Sequence, residues 1–122
     1  MFESIEKRRS VPVYVQIEDE VVFAVAAGKL KGGDKLPSLR ELAEKLNLNL
    51  NTMAKAYRDL ELMGIVYTRH GIGIFISKGI EAKCREDDRK RVVGRLHEVV
   101  SEAKAAGMAS QDIKNICSTC FA

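Results

Sequence analysis

Residues 36–76 read LPSLRELAEKLNLNLNTMAKAYRDLELMGIVYTRHGIGIFI and contain the signals of two short helices, a turn and a β-hairpin. A first helix can open at Ser38, whose side chain is suited to accept a hydrogen bond from a free amide of the first turn. Glu41 stands three residues later, at the spacing of a capping box. The inward face that this helix predicts consists of Leu39, Leu42, Ala43 and Leu46.

A turn and a second helix follow. Asparagine side chains compete for backbone groups and tolerate left-handed geometry, so Asn47 predicts a turn and Asn49 predicts the N-cap of a new helix. Gly64 predicts the end of that helix. Its buried stripe, at spacings of three and four residues, is predicted to be Met53, Ala56, Tyr57, Leu60 and Met63.

The last part of the stretch predicts a β-hairpin. Residues 65–68 and 74–76 are β-branched or aromatic, and residues 69–73 between them include two glycines that can adopt positive φ. The predicted fold is mainly α with a small β-hairpin. It is a winged helix-turn-helix in residues 1–78, followed by a C-terminal helical tail in residues 79–122.

Polar groups stand where such a fold meets duplex DNA. Asn51 and Thr52 begin the second helix, and Lys55 and Arg58 follow about a turn later. Amides and hydroxyls read base edges in the major groove, while cations neutralise phosphates. Taken singly, each of these residues is better explained as an ordinary solvated side chain, but their shared placement on the second helix favours DNA binding.

Two segments upstream of this stretch also carry a recognisable sequence pattern. They are PVYVQI at residues 12–17 and GKLKGGDKLPS at residues 28–38. From Pro12 to about Ile76 the chain resembles the DNA-binding domain of the GntR family of bacterial transcription regulators. The segment NLNTMAKAY at residues 49–57 and the short tail resemble its YtrA subfamily. The candidate DNA-binding residues are Ser38, Arg40, Asn49, Asn51, Thr52, Lys55, Arg58, Arg69, His70 and Gly71.

Two residues depart from the family pattern. Leu50 stands where the family usually has Pro or Arg, so a charged contact made from that position in relatives is absent here. Ile74 follows Gly73 where the family more often has Thr, which removes a hydroxyl near the start of the strand. Both changes affect which DNA sequence the protein would prefer, and neither removes the second helix.

Composition limits the alternatives. The 122 residues carry a formal charge of +3, which is low for a nucleic-acid binder, but cations outnumber acids between Lys45 and Lys78. No apolar run approaches the roughly 20 residues that span a bilayer, and the N-terminus lacks a hydrophobic signal core, so a cytoplasmic protein without membrane contact is expected. Two histidines on separate elements assemble no catalytic group, so neither enzymatic activity nor a cofactor is expected.

The N-terminal helix is predicted from Val13 to about Ala27. Its core-facing stripe is expected to be Tyr14, Ile17, Val21, Ala24 and Val25. Val15, Val22 and Phe23 fall outside that stripe and are either scattered surface residues or a surface covered by a tail helix or a partner chain, which Phe23 favours.

The tail predicts two amphipathic helices. The first is expected over residues 81–106, with Gly107 stopping it and Ser110 capping the second. Two apolar stripes on a short helical hairpin call for a second copy of the chain, and resemblance to the YtrA subfamily implies the same homodimer. The candidate dimerisation residues are Val92, Leu96, Val99, Val100, Ile113, Ile116 and Phe121.

Cys117 and Cys120 have the spacing of half a zinc site or of a thiol redox motif. Structural zinc normally takes four ligands, whereas Cys84 lies on another helix and His97 is the nearest imidazole in sequence. Both thiols also fall on the apolar stripe, so reduced core cysteines and no metal site are favoured.

The leading hypothesis is a dimeric repressor that occupies an inverted-repeat operator in double-stranded DNA. Resemblance to the YtrA subfamily makes a small transport-related operon the expected target. The alternative is a winged-helix module that binds protein without binding an operator, which the low net charge keeps open. A small-molecule effector is left open, with no residue pattern that identifies it.

Overall fold

The computed structural model describes residues 1–3, 5–6 and 10–121. The chain divides into two compact units, Met1–Asp88 and Arg89–Ala122, which are called the first unit and the second unit and are described separately. The first unit therefore ends ten residues after the boundary at residue 78 that the sequence pattern suggested.

The first unit contains three helices and a hairpin, followed by the start of a fourth helix. Its elements are α1 (Val13–Ala26), α2 (Leu39–Leu46), α3 (Leu50–Leu62), β1 (Val66–Arg69), β2 (Gly73–Ile76) and the beginning of α4 (Glu81–Ala105). The two strands are antiparallel, with Val66 opposite Ile76 and Arg69 opposite Gly73. This arrangement confirms the predicted mainly α fold with a small β-hairpin.

The turn between α2 and α3 forms as its polar residues predict. Ser38 Oγ accepts a hydrogen bond from the Glu41 amide at 3.1 Å, which confirms the N-cap of α2. Asn47 adopts the left-handed conformation with φ of 52°. Asn49 caps α3 by accepting a hydrogen bond from the Asn51 amide at 2.7 Å.

The C-terminus of α3 closes in a Schellman turn around Gly64, whose φ is 78°. The Gly64 amide donates to the Glu61 carbonyl, and the Ile65 amide donates to the Leu60 carbonyl. Met63 is the C-cap of this helix and is 41% exposed, so its predicted burial was wrong. The chain reverses at Gly64, which leaves the Met63 side chain beyond the end of the core.

The core of the first unit lies between α1, α2, α3 and the hairpin. The Tyr57 hydroxyl, at the edge of this core, donates to the Pro37 carbonyl at 2.8 Å and so links α3 to the start of α2. Each large apolar side chain buried there contributes about 1.5–3 kcal/mol. The fully buried residues of this core include Ile17, Val21, Val25, Leu42, Met53, Leu60, Ile65, Ile76 and Cys84.

The N-terminal segment also contributes to this core, which the sequence pattern did not predict. Phe2 is 2% exposed, and Met1 and Ile5 pack against the same cluster. The buried Gln16 side chain on α1 exchanges two hydrogen bonds with the Glu6 backbone and donates a third to the Val11 carbonyl. Isolated apolar residues in a charged segment show no periodicity, so they give no local signal of burial.

The loop before α2 pairs with the hairpin. Lys35 forms a β-bridge with Phe75, the Leu36 amide donates to the Ile74 carbonyl, and the Ile76 amide donates to the Asp34 carbonyl. Leu36 is buried as a result. The start of α2 and the hairpin are thereby held to one another through backbone hydrogen bonds.

The second unit contains the later part of α4 and α5 (Ser110–Thr119). Gly107 has φ of 93° and ends α4 as predicted, with the Met108 amide donating to the Ala103 carbonyl. The N-cap of α5 is Ala109, so the predicted cap at Ser110 was wrong. The turn around Gly107 extends to Met108, so Ala109 is left as the N-cap and Ser110 is already the first helical residue. No helix of the described residues is long and apolar enough to cross a membrane.

Candidate nucleic-acid interface

The outer face of α3 is the centre of the candidate interface. Met53, Ala56, Tyr57 and Leu60 turn towards the core, which leaves the opposite side of the helix facing outwards. Asn51 and Arg58 are exposed on that outer side, and Thr52 is partly buried. The predicted contact residues at the start of α3 therefore lie at or near the surface of the first unit.

Two of the candidate contact residues, Ser38 and Asn49, are also the N-caps of α2 and α3. The Asn49 amide oxygen is occupied by the Asn51 amide, and the Ser38 hydroxyl oxygen is occupied by the Glu41 amide. Both side chains are exposed at helix N-termini, so the Ser38 hydroxyl hydrogen and the Asn49 side-chain amide hydrogens face the surface. Their first effect is to set where α2 and α3 begin.

Lys55 is turned towards α1. Its ammonium lies 3.4 Å from Asp59 Oδ2 and 4.7 Å from the centre of the Tyr14 ring. Both partners stabilise the cation in this position. Lys55 is still exposed, but its charge lies on the α1 side of α3, away from the row formed by Leu50, Ala54 and Arg58.

Asp59 also contacts a second acid on α1. The pKa of Glu18 is raised from 4.5 to about 7 by burial, by a hydrogen bond to Asp59 and by the negative charges of Asp59 and Asp19, while Lys55 opposes the shift. Two carboxyl groups in contact disfavour simultaneous ionisation. Glu18, Asp59 and Lys55 therefore form a titratable contact between α1 and α3.

The hairpin presents the predicted tip residues to solvent. Arg69, His70 and Gly71 are all exposed, and Gly71 has φ of 77°. The Thr68 hydroxyl donates to Glu61 Oε2 at 2.7 Å, which ties β1 to α3. At Gly73 a Cβ would lie 2.6 Å from Lys35 Cε, so a side chain there would displace the lysine.

A cleft of about 300 Å³ lies between α2, α3 and the hairpin. Its lining includes Leu39 of α2, Ala54 and Arg58 of α3, and Ile74 of β2. Arg40 follows Leu39 and is exposed at the start of α2. The structure therefore brings the beginning of α2, the outer face of α3 and the hairpin to one side of the first unit.

Two residues on this side were missed as candidates. Leu50, the first residue of α3, is 44% exposed, and Ala54 lies one turn later beside the cleft. The apolar character of both residues hides them in a search for hydrogen-bonding groups. The signal that could have found them is their position outside the predicted core stripe.

The second unit exposes much of the predicted dimerisation surface. Leu96 is 56% exposed, Phe121 is 89% exposed, and Val100 and Ile113 are partly buried. Val92, Val99 and Ile116 are likewise exposed, so the apolar stripe has no cover of its own within the second unit.

The two tail cysteines are not buried within one copy of the chain, so their place in a core stays a prediction that depends on the proposed dimer. Cys117 is partly buried, and the exposed Cys120 directs its thiol to the Ile116 carbonyl at 3.9 Å. Both lie on a stripe that finds no cover within its own unit. Among the described residues, no group of three or more His, Cys, Asp or Glu is arranged to hold a metal ion.

Comparison with known proteins agrees with this geometry. The family model of the GntR bacterial regulatory proteins matches residues 13–76, which include α1, α2, α3 and the hairpin. The transcriptional repressor YtrA of Bacillus subtilis is 38% identical over 104 residues, which cover 85% of this chain and 80% of YtrA.

Solved structures give the same assignment. A transcriptional regulator from Oenococcus oeni has a TM-score of 0.69 and 32% identity, covering 99% of this chain and 100% of its own. The DNA-binding domain of AraR in complex with an operator has a TM-score of 0.53 and 28% identity, covering 59% of this chain and 88% of that domain. With α2, α3 and the hairpin placed as described, this chain belongs to the GntR family of bacterial regulatory proteins.

Proposed function

We propose that this regulator binds an inverted-repeat operator in double-stranded DNA as a homodimer and represses a small operon. The observation that carries the proposal is the cleft between the start of α2, the outer face of α3 and the hairpin, on elements that also expose Arg40 and the Arg69–Gly71 tip. A helix of this kind enters the major groove with its N-terminal residues at the base edges.

The residues divide into two kinds of contact. Arg58, Arg69 and His70 are exposed donors suited to phosphate oxygens, which position the protein without reading sequence. Arg40 and Asn51 carry the groups that pair with guanine and adenine edges. The operator in the AraR complex supports DNA as the partner of this surface.

Exposed apolar side chains of the second unit support the proposed dimer. A row of exposed valine and leucine side chains on α4, together with Ile116 and Phe121, needs an apolar partner. A second copy of the chain supplies the same surface in a two-fold arrangement. The transport-related target rests on the resemblance to YtrA alone, and the effector has no assigned site.

Operator binding is tested by fluorescence anisotropy on duplexes that the full-length protein selects from a randomised library. Arg40→Ala is expected to weaken binding by about 5- to 150-fold, since a good bidentate pair contributes about 1–3 kcal/mol of discrimination. Lys29→Ala is the matched control, because Lys29 is not a candidate contact residue and its ammonium lies 5.2 Å from the centre of the Phe23 ring on α1. If both variants bind like the wild type, this surface does not bind the operator.

A protein-binding winged helix is the second candidate, favoured by the net charge of only +3. The two candidates differ in their need for cations. Neutralising Arg40, Lys55 and His70 together would leave the activity of a protein-binding module unchanged, whereas an operator-binding protein would lose affinity and part of its salt dependence.

A further inference from the structure

The outer face of α3 contains an apolar pair that the polar contacts leave unexplained. Asn49 caps the helix, Lys55 is held by Asp59 and Tyr14, and Asn51 and Arg58 carry the hydrogen-bonding groups. Leu46 and Leu48 pack against the core, whereas Leu50 is largely outside it and 44% exposed.

Leu50, Ala54 and Arg58 form one row along α3. Residues four apart in a helix have Cβ atoms about 5–6 Å from each other, so Leu50 and Ala54 present a joint apolar surface. Ala54 and Arg58 also line the same cleft as Leu39. The row is therefore apolar at the N-terminal end of α3, where base edges are read, and cationic one turn further along.

We propose that Leu50 and Ala54 read the 5-methyl group of thymine in each half-site of the operator. This inference rests on the proposed operator binding. Neither side chain can donate or accept a hydrogen bond, and the thymine methyl is the apolar group that a base pair presents in the major groove. The exposed Arg40 on α2 and Arg58 on α3 supply the charge that attracts this surface to DNA rather than to an apolar protein partner.

The pair predicts a base preference that differs from the preference an arginine at the position of Leu50 would give. Arginine pairs with the guanine O6 and N7 atoms, whereas leucine gains only by excluding water from a methyl group. The half-site of this protein is therefore expected to contain thymine where an arginine would favour guanine.

Replacing thymine by uracil tests this directly, because only the methyl group is removed. Duplexes selected by the full-length wild-type protein are synthesised with deoxyuridine at one thymine position at a time, and dissociation constants are measured by anisotropy. At one or two positions in each half-site the wild type is expected to lose about fourfold in affinity, the value of one buried methyl group.

Leu50→Ala is expected to bind the thymine duplex more weakly and to respond little to uracil at the same position. Met63→Ala is the matched control, since Met63 is an exposed apolar residue about 20 Å further along the α3 axis, and it should keep the uracil response. Thermal unfolding verifies that both variants remain folded. A second selection with Leu50→Arg should replace thymine by guanine at that position.

Three results would overturn the inference. One is the absence of any uracil effect in the half-sites, another is an equal uracil effect in wild type and Leu50→Ala, and the third is an unchanged consensus for Leu50→Arg. In each of these cases, a loss of operator affinity in Arg40→Ala would show that the proposed operator binding is still correct. If the wild-type protein selects no duplex at all, the proposed function and this inference both fail.

Discussion

For single residues, the first example is Asp59, which links α3 to α1. It pairs with Lys55 at 3.4 Å and hydrogen-bonds the Glu18 carboxyl, so one side chain contacts both a cation and a second acid. Lys55 is a candidate DNA contact, and its position depends on Tyr14 of α1 as well as on Asp59. A local substitution at Glu18 or Asp59 therefore reaches the surface that we propose for DNA.

Glu18 makes stability depend on pH. Its pKa is about 7 in the folded protein and 4.5 in the reference state, so the folded protein binds this proton more tightly. The stabilisation is complete below pH 4.5 and is lost as pH rises to about 7. Because the side chain is partly solvated, screening limits the effect to about 1 kcal/mol.

Glu18→Gln is expected to remove most of this decline and to be more stable than the wild type at pH 8. The free energy of unfolding from urea titrations at pH 5 and pH 8 measures the effect. Glu44→Gln, an exposed substitution on α2, serves as the control and should follow the wild-type profile. A Glu18→Gln protein with the wild-type slope would show that this proton is not linked to folding.

Two glycines are expected to respond to alanine in opposite directions. At Gly32 a Cβ would lie 2.7 Å from the Lys78 Cα and 3.1 Å from the Ser77 carbonyl, and the Gly32 amide also donates to Glu81 Oε1. Gly32→Ala should therefore destabilise the protein by about 1–3 kcal/mol through backbone displacement.

Gly94→Ala is the matched substitution in a helix interior. No heavy atom outside the local helix backbone lies within 4 Å of a Cβ built there, so alanine should stabilise α4 by about 0.5–1 kcal/mol. Thermal unfolding followed by circular dichroism compares the two variants. Equal shifts of the same sign would mean that the close approach at Gly32 does not govern its response.

At the element scale, the start of α3 depends on one side chain. Asn49 accepts the Asn51 amide at 2.7 Å, and the same turn carries Leu50, Asn51 and Thr52. Loss of the cap would fray the residues that we propose to read the operator, so helix capping and recognition are coupled in this element.

Asn49→Ala should cost about 1 kcal/mol in stability, whereas Asn49→Ser should retain most of it, because serine also caps helices. Chemical denaturation measures both. Operator affinity should fall for Asn49→Ala and recover in Asn49→Ser if the cap is the main role of this residue. Equal loss of affinity in both variants would instead point to a direct base contact by the asparagine amide.

At the scale of the whole molecule, dimerisation decides whether a site can be selected in a genome. One winged helix reads a few base pairs, whereas two related by a two-fold axis read half-sites whose centres lie roughly 34–36 Å apart or a multiple of this spacing. The exposed stripe of the second unit is the apolar surface that we propose holds the two copies together.

Leu96→Asp places a charge in the middle of that stripe and should give folded monomers that bind the operator weakly. Sedimentation at micromolar concentration measures the state of the protein. Ser101→Asp adds the same charge at an exposed polar position of α4 and should remain dimeric. A wild-type monomer, or a chain ending at Asp88 that still dimerises, would exclude the tail. That end point keeps the buried Cys84 in place.

The order of the elements and most of their ends follow from local residue patterns. The residues that cap helices or end them act on backbone groups only a few residues away, so these helix ends can be predicted without the rest of the chain. They are Ser38, Asn47, Asn49, Gly64 and Gly107. The buried stripes of α2 and α3 were likewise visible in their periodicity, except at Met63, where the reversal of the chain places the side chain outside the core.

The partners of individual side chains follow from contacts between distant segments and could not be predicted from local patterns. Phe2 enters the core, Gln16 holds the N-terminal backbone, and Lys55 turns to Tyr14 and Asp59. The exposed Leu50 became a candidate only when its neighbours were found on the core side or in caps. Local patterns report hydrogen bonds and spacing within a few residues, whereas burial and pairing depend on segments distant in the chain that folding brings together.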